Sequence, residues 1–447
     1  MSQLPMVNLT VKDDTMHAET SRKSPVRILL ADTDRRGFAA RLAMAFGAAG
    51  CEVSAVCTSH HPIETIKAHT RRFSYSAVRP AMSLLQAIGA FNPDLIIPCD
   101  DRAVEHLQQL CARTGNSNPD AARVIERSLG PLGSYPVVSA RYALLELAKE
   151  QGIRVPATQY LQRAQDLDQW QGKQPLPWVL KADRTWGGSG VRIAKTAAEA
   201  EQLFHQLNDP CGLKRGVKRL LVNRDPFYLR DWWQGSSRSV IVQAYIEGRP
   251  ANCAVACWQG KVLAQIGVEV LAAAYSTGPA KVVRRINNSE MTNAASNIAE
   301  KLHLSGFFGL DFIIEEGTGE TYLLEMNPRP TPLTHIRLGP GTDMVGALHA
   351  VLSGQSLPTT SLSDQNGHEV IAYFPQVSSG DTELLKSCVH DIPNGEPELV
   401  KALVNPFPQR TLLYRIVDRL SGSSEPTTYE SSESAKAVDR SEQACPQ

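Results

Sequence analysis

Gly309-Leu310-Asp311-Phe312-Ile313-Ile314 is an apolar run broken by one carboxylate. Tyr322-Leu323-Leu324-Glu325-Met326-Asn327-Pro328-Arg329 follows it across a charged turn containing glycine. Two such runs joined by a short turn predict an antiparallel hairpin. Its strands carry hard oxygen donors, Asp311 on one and Glu325 with Asn327 on the other. That donor set suits Mg²⁺ held by few protein ligands and completed by phosphate oxygens. The flanking apolar residues place both carboxylates in a partly buried cleft, where an unpaired charge is costly. A metal ion is therefore expected there rather than a pair of solvated hairpin ends.

Upstream stands Trp178-Val179-Leu180-Lys181-Ala182-Asp183-Arg184-Thr185-Trp186-Gly187-Gly188-Ser189-Gly190-Val191. A strand that delivers one lysine beside a glycine-rich loop is suited to gripping a polyphosphate. The ammonium supplies charge, and residues without side chains let backbone N–H groups approach the oxygens. A lone strand-end lysine would mean little; the loop that follows it gives Lys181 its functional reading.

At 447 residues the chain has room for about three domains. Lys plus Arg and Asp plus Glu both number 46, so no excess charge argues for nucleic acid or an anionic membrane as partner. Any anion binding must be local. The 9 cysteines show no CxxC spacing, and no hydrophobic segment with a cleavage site marks the polar start, which predicts a reduced, cytoplasmic protein. No apolar run reaches the roughly 18 residues of a membrane helix.

Between Val26 and about Gly130 strands and helices alternate. Strands are predicted at Val26–Leu30, Glu52–Cys57 and Asp94–Pro98, with helices at Phe38–Ala49 and Ala81–Phe91, hence a parallel sheet. The first strand-to-helix turn, Asp32-Thr33-Asp34-Arg35-Arg36-Gly37, lacks the GxGxxG that brings backbone against a dinucleotide. A helix over Ser139–Gln151, stopped by Gly152, opens a new region. Strands follow at Ser239–Ile246, Ala251–Trp258 and Lys261–Val270, with Gly248 and Gln259-Gly260 as turns. Helices at Met291–Leu302 and Met344–Leu352 complete an α+β pattern on an antiparallel sheet, and Val370–Phe374 reads as a further strand. Cys253 and Cys257, an even number apart on one strand, belong to a core face rather than to a zinc pair. The His60-His61 pair reads as a solvated loop.

This order resembles the ATP-grasp superfamily, especially the members similar to biotin carboxylase, carbamoyl phosphate synthetase and the carboxylate-amine ligases, over about residues 26 to 355. The carrying features are the Rossmann-like start without GxGxxG, Lys181 with its glycine loop, Val242-Gln243-Ala244-Tyr245-Ile246-Glu247-Gly248, and Asp311 with Glu325-Met326-Asn327-Pro328-Arg329. The resemblance implies α/β and α+β architecture, with a Rossmann-like pre-ATP-grasp domain (25–130) followed by a two-subdomain ATP-grasp fold (131–247 with linker and lid, then 248–355). A C-terminal extension (356–420) has no assigned role, and residues 1–24 and 421–447 are expected to be disordered.

The resemblance also implies roles. Lys181 matches the lysine on the α- and β-phosphates, and Arg141 falls where a second phosphate-binding lysine is usual. Thr185, Gly187, Gly188, Ser189 and Gly190 match the lid. Gln243, Ala244, Tyr245 and Ile246 match the hinge that meets adenine, with Gln243 where Glu is frequent. Shortly after the hinge, where several relatives carry an acidic residue for the ribose, this chain reads Arg249-Pro250-Ala251-Asn252. Asp311, Glu325 and Asn327 match the metal ligands, and Arg329 matches the arginine beside the transferred phosphoryl group. Trp186 departs from the small residues usual in such a loop. The implied cofactors are ATP and Mg²⁺, with Mn²⁺ as a substitute, and the implied partners are a small carboxylate and an amine, with a homo-oligomer compatible.

Three sites carry open alternatives. Asp100 and Asp101 follow a strand at the carboxyl edge where open α/β sheets bind ligands; either holds a substrate amine or caps a helix. Lys281, Arg284 and Arg285 form a basic group, either a carboxylate receptor or a solvated strand edge. His335, six residues after Arg329, is either a substrate contact or a satisfied loop histidine. The implied reaction is ADP-forming ligation through an acylphosphate. Bicarbonate activation of the carboxylase or carbamoyl-phosphate type is an alternative, weakened by the absence of a Met-Lys-Met segment and of a second synthetase half. A non-catalytic ATP-binding regulator is another, opposed by the presence together of Asp311, Glu325, Asn327 and Arg329.

Overall fold

The computed structural model describes residues 24–35, 37–67, 71–115, 117–183, 185, 190–208, 239–274, 278–339, 341–357, 369–377 and 388–404. The expected disordered N-terminus up to residue 23, the 421–447 tail, and the lid residues Trp186, Gly187, Gly188 and Ser189 lie outside the described residues.

The first unit is a parallel sheet of β1 (Arg27–Asp32), β2 (Glu52–Cys57), β3 (Arg71–Ser74) and β4 (Leu95–Pro98), in the order β3-β2-β1-β4. Around it run α1 (Phe38–Ala48), α2 (Pro80–Phe91), α3 (Asp101–Thr114) and α4 (Pro119–Leu129). Ile28, Leu29 and Leu30 are all buried because helices cover both faces of the sheet, the condition that lets a strand be continuously apolar. Asp100 caps α3, its Oδ1 accepting from the Ala103 N–H at 2.9 Å, so the capping alternative holds for this residue.

The second unit begins with α5 (Tyr135–Val138) and α6 (Arg141–Glu150). It contains β5 (Thr158–Leu161), α7 (Asp166–Gln171), β6 (Trp178–Ala182), β7 (Val191–Ala194), α8 (Ala197–Asn208) and β8 (Val240–Ala244). The sheet, ordered β5-β8-β6-β7, is antiparallel throughout. Trp178, Leu180, Val240, Val242 and Phe204 form its core. Alternation along β6 puts Trp178, Leu180 and Ala182 on the core side.

The third unit is a seven-stranded sheet. Its strands are β9 (Gly248–Trp258), β10 (Lys261–Ala273), β11 (Ala280–Arg285), β12 (Gly306–Glu315), β13 (Thr321–Asn327), β14 (Val370–Ala372) and β15 (Val389–His390), in the order β13-β12-β9-β10-β11-β14-β15. Helices α9 (Ser289–Lys301), α10 (Met344–Leu352) and α11 (Pro397–Val404) complete it. Cys253, Val255, Cys257, Leu310 and Phe312 pack with Ile298 of α9 and Leu144 of α6. Ala254, Ala256, Ile266 and Val283 join a second cluster with Phe46 of α1 and Leu348 of α10. Period-two alternation divides the strands between these clusters, and both cysteines fall in the core.

Two details differ from expectation. Gly248 opens β9 rather than forming a turn, because a Cβ there would run into the Ile314 carbonyl of the adjacent strand. The C-terminal extension contributes β14 and β15 to the large sheet, and α11 buries Leu399 and Leu403 in the same cluster as Ile63 of the first unit.

Candidate active site

The hairpin forms as the pattern requires: β12 and β13 are antiparallel, with Asp311 opposite Glu325 and Gly309 opposite Asn327. On its other side β12 pairs with β9, which sets Asn252 opposite Asp311. Asp311 is consequently ringed by donors. Asn252 Nδ2 gives to Oδ1 at 2.5 Å and Asn327 Nδ2 to Oδ2 at 3.0 Å. Burial, and then the neighbouring Glu325 charge, push the Asp311 carboxyl well above the usual range; the two amides act in the opposite direction. Burial would raise Glu325 too, but Arg141 and Lys181 outweigh it and hold that carboxyl low. Within the pair, Glu325 therefore gives up its proton more readily than Asp311.

Three cations surround this pair. Arg141, the first residue of α6, places Nε 2.9 Å from Glu325 Oε2. Its Nη1 donates to the Ala182 carbonyl and lies 3.7 Å from Asp183 Oδ1. Burial opposes its charge, but Glu325 and Asp183 prevail and raise it. Lys181 comes from β6 of the opposing sheet and is 5% exposed. Burial lowers its pKa to about 8 against the attraction of Glu325. Arg329 stands at the end of the hairpin, its Nε 2.9 Å from Asp101 Oδ2 and its Nη2 3.3 Å from Asn327 Oδ1. Asp101, on the first turn of α3, thus connects the parallel sheet to the hairpin.

The donor set fits a hard divalent cation. Two carboxylates meet inside the protein with an amide oxygen beside them, an arrangement in which like charges call for a counter-ion. Among the described residues no group of three or more His, Cys, Asp and Glu is placed to hold a metal. Two carboxylates and an amide oxygen suit an ion that takes part of its coordination from phosphate, as Mg²⁺ does.

The remaining candidates fall as follows. Thr185 donates to the Ala182 carbonyl at 2.8 Å, and a Cβ on Gly190 would collide with the Thr185 side chain. Gln243 is 1% exposed, and its amide donates to Thr158 Oγ1 at 3.0 Å, so this side chain is turned into the sheet. Ala244 ends β8, and Tyr245 and Ile246 form the link to β9, with Tyr245 exposed. Arg284 is paired with Glu269, which also binds Arg249 at 2.7 Å, and Arg285 donates to the Leu338 carbonyl at 3.2 Å. Arg285 is buried, whereas Arg284, though paired, and Lys281 are both half-buried on the same strand. His335 is enclosed between Arg41 and Asp391, away from solvent.

His61 corrects the solvated-loop reading. His60 is exposed, but His61 is buried. Its Nδ1 accepts the Ile63 N–H at 3.0 Å, so the ring proton sits on Nε2, which meets Asp32 Oδ2 at 3.1 Å. Asp32 lies beside Asp100, whose carboxyl is raised by burial and by the Asp32 charge. Asn252 was also missed from the sequence. The available signal was an amide inside the otherwise apolar Ala251-Asn252-Cys253-Ala254 run.

Residues 138–332 match the family model described as the ATP-grasp domain. No curated protein matches the chain. Among solved structures, N5-carboxyaminoimidazole synthetase from Staphylococcus aureus shares the fold with a TM-score of 0.54 at 16% identity, over 76% of this chain and 80% of that one. A biotin carboxylase from Campylobacter jejuni, in complex with β-γ-ATP, gives a TM-score of 0.53 at 14% identity, over 74% and 72%. The biotin carboxylase domain of Hydrogenobacter thermophilus 2-oxoglutarate carboxylase, crystallised with MgADP, ADP and bicarbonate, gives 0.54 at 15%, over 77% and 73%. The chain thus contains an ATP-grasp domain and shares the fold of these structures. Within this chain the ATP-grasp domain spans residues 138–332 and so contains both Lys181 and the hairpin. Among the described residues no helix is long and apolar enough to cross a membrane.

Proposed function

We propose that this chain is an ADP-forming ligase. It uses ATP and Mg²⁺ to activate a carboxylate as an acylphosphate, which an amine or another nucleophile then attacks with release of phosphate; carbon–nitrogen bond formation is the preferred outcome. The observation that carries this reading is the convergence of Lys181, Arg141 and Arg329 on the Asp311/Glu325 pair. Phosphoryl transfer asks a protein for in-line positioning and neutralisation of charge on the phosphoryl oxygens, and requires no nucleophilic side chain.

Lys181 and Arg141 neutralise the phosphate chain, and Thr185 to Gly190 cover it. The backbone of Gln243 to Ile246 receives the adenine. Asp311, Glu325 and Asn327 hold the ion. Bound Mg²⁺ supplies charge to the phosphate oxygens. Arg329 stabilises charge that develops on the transferred group, and Asp101 keeps its guanidinium oriented. Asp101, at the carboxyl edge of the parallel sheet where Asp100 caps α3, is the residue left to meet an amine beside Arg329.

Bicarbonate as the activated carboxylate is a second reading. The Hydrogenobacter carboxylase domain, of the same fold, was crystallised with that anion. One assay tests both: the protein with Mg-ATP and pools of amino acids, small carboxylates or bicarbonate, reading phosphate and separating ADP from AMP. ADP and phosphate formed only when a carboxylate is present support the reading. AMP with pyrophosphate, or no nucleotide turnover with any pool, opposes it.

A further inference from the structure

Three side chains distant in sequence meet behind the segment that follows Arg329. Asp391, just after β15, has its carboxylate oxygens 3.0 and 3.2 Å from His335 Nε2, and Oδ1 also receives Arg41 of α1. Arg41 Nε and Nη2 lie 3.3 and 3.1 Å from the same ring nitrogen. Phe38, one turn earlier on α1, meets the His335 ring edge-on at 5.8 Å between centroids. The side chains of Arg41, Asp391 and His335 are 13%, 9% and 8% exposed. An enclosed ion pair contributes little net stability, but it admits few geometries, and loss of one partner strands the other.

Between this knot and the site the chain has little slack. Arg329-Pro330-Thr331-Pro332-Leu333-Thr334-His335 contains two prolines, each fixing its φ. Thr331 and Thr334 close the turn between them: the Thr334 N–H donates to the Thr331 carbonyl and the Thr331 N–H to Thr334 Oγ1, both at 2.9 Å. Leu333 and Thr334 are buried. Beyond His335 the Ile336 N–H bonds the Leu333 carbonyl at 3.0 Å, and the Leu338 N–H bonds Thr342 Oγ1 at 3.0 Å.

Asp391 reaches His335 because the C-terminal segment is pinned on both sides. β15 pairs in parallel with β14, and the Lys67 N–H meets Glu396 Oε2 at 3.2 Å. Leu403 of α11 fills the space over Gly37, where φ is +76° and a Cβ would collide with it.

We infer that Asp391, together with Arg41, is a positioning residue: it fixes His335 and, through the stiff 330–334 turn, holds the Arg329 side chain in place. The catalytic half of this inference rests on the ligase reading above. The anchoring half does not.

The test uses Asp391→Asn and Arg41→Lys in the full chain, with two readouts. Peptide-resolved hydrogen exchange across 331–338 accelerates about tenfold or more in each variant, while 309–314 is unchanged. In the productive assay kcat for phosphate release falls about tenfold or more while KM for ATP stays within about twofold, a split that a merely structural loss would not produce. Unchanged exchange in a folded variant overturns the inference, whatever the activity. Faster exchange with wild-type kcat overturns the positioning role. Wild-type protein that turns over no substrate pool removes the ligase reading and leaves the exchange result to decide the anchoring. If Asp391→Asn does not fold, Arg41→Lys, which keeps the charge but loses the fork, decides alone.

Discussion

Arg141 Nε lies 2.9 Å from Glu325 Oε2, which joins the head of α6 to β13 across 184 positions of sequence. The contact makes one carboxylate answer to two cations, Arg141 and Lys181, which hold it low while burial raises Asp311 beside it. A group held this strongly ionised in an enclosed place is suited to bind a metal at neutral pH. Glu325→Gln keeps the shape and loses the charge. Phosphate release should fall by about a hundredfold or more, while Asp183 continues to neutralise Arg141 and the circular dichroism spectrum is unchanged. Wild-type turnover in the folded variant would contradict the assignment.

Lys181 is buried, and charge-assisted bonds in such a place are strong. Lys181→Ala should weaken ATP binding at least about tenfold, roughly 1.4 kcal/mol, by calorimetry. A pH dependence follows from its pKa of about 8, lowered chiefly by burial. Only the ammonium form grips phosphate, so it is charged below that value and neutral above it. ATP affinity should therefore decline as pH rises from about 7 to about 9. Lys181→Arg, whose charge persists across that range, should flatten the slope. Equal slopes in both proteins would remove Lys181 as its source.

Asn252 donates to Asp311 at 2.5 Å from the neighbouring strand and orients the carboxylate without itself carrying charge. Partners of metal ligands commonly influence affinity by about tenfold or more. In Asn252→Ala the affinity for Mn²⁺, followed by electron paramagnetic resonance without nucleotide, should fall by about that factor. An unchanged titration would reduce Asn252 to packing.

What the sequence disclosed depended on whether partners lay within one pattern. The hairpin with Asp311, Glu325 and Asn327, the Lys181 strand and the α/β start were legible because period-two and period-3.6 alternation encode them locally. The Asn252–Asp311, Arg329–Asp101 and His335–Asp391 contacts were not. Each joins residues whose approach depends on strand order or on domain packing, with separations of 59 positions for the first and 56 for the last. His61 was misjudged for the same reason: the Asp32 that receives its ring lies on another strand end. Gln243 shows the limit of a matched motif, since the residue type fits the adenine hinge while its amide is directed to Thr158.

The product chemistry decides the class of reaction. Arg329 is fixed by Asp101 and Asn327 at the end of the hairpin, beside the Asp311/Glu325 pair, and burial against its charge is outweighed by Asp101. Charge stabilisation centred there favours attack on the terminal phosphoryl group, which leaves ADP; an adenylating enzyme attacks the α-phosphorus and leaves AMP and pyrophosphate. A reaction run with ¹⁸O-labelled carboxylate should put label into the released inorganic phosphate. An acylphosphate keeps the bridging carboxylate oxygen on phosphorus when the amine displaces it. Arg329→Ala should suppress this transfer with little loss of ATP affinity, because its interaction is expected to strengthen mainly in the transition state. AMP as the nucleotide product, or unlabelled phosphate from a productive ligation, would exclude the acylphosphate route and the place given to Arg329 in it.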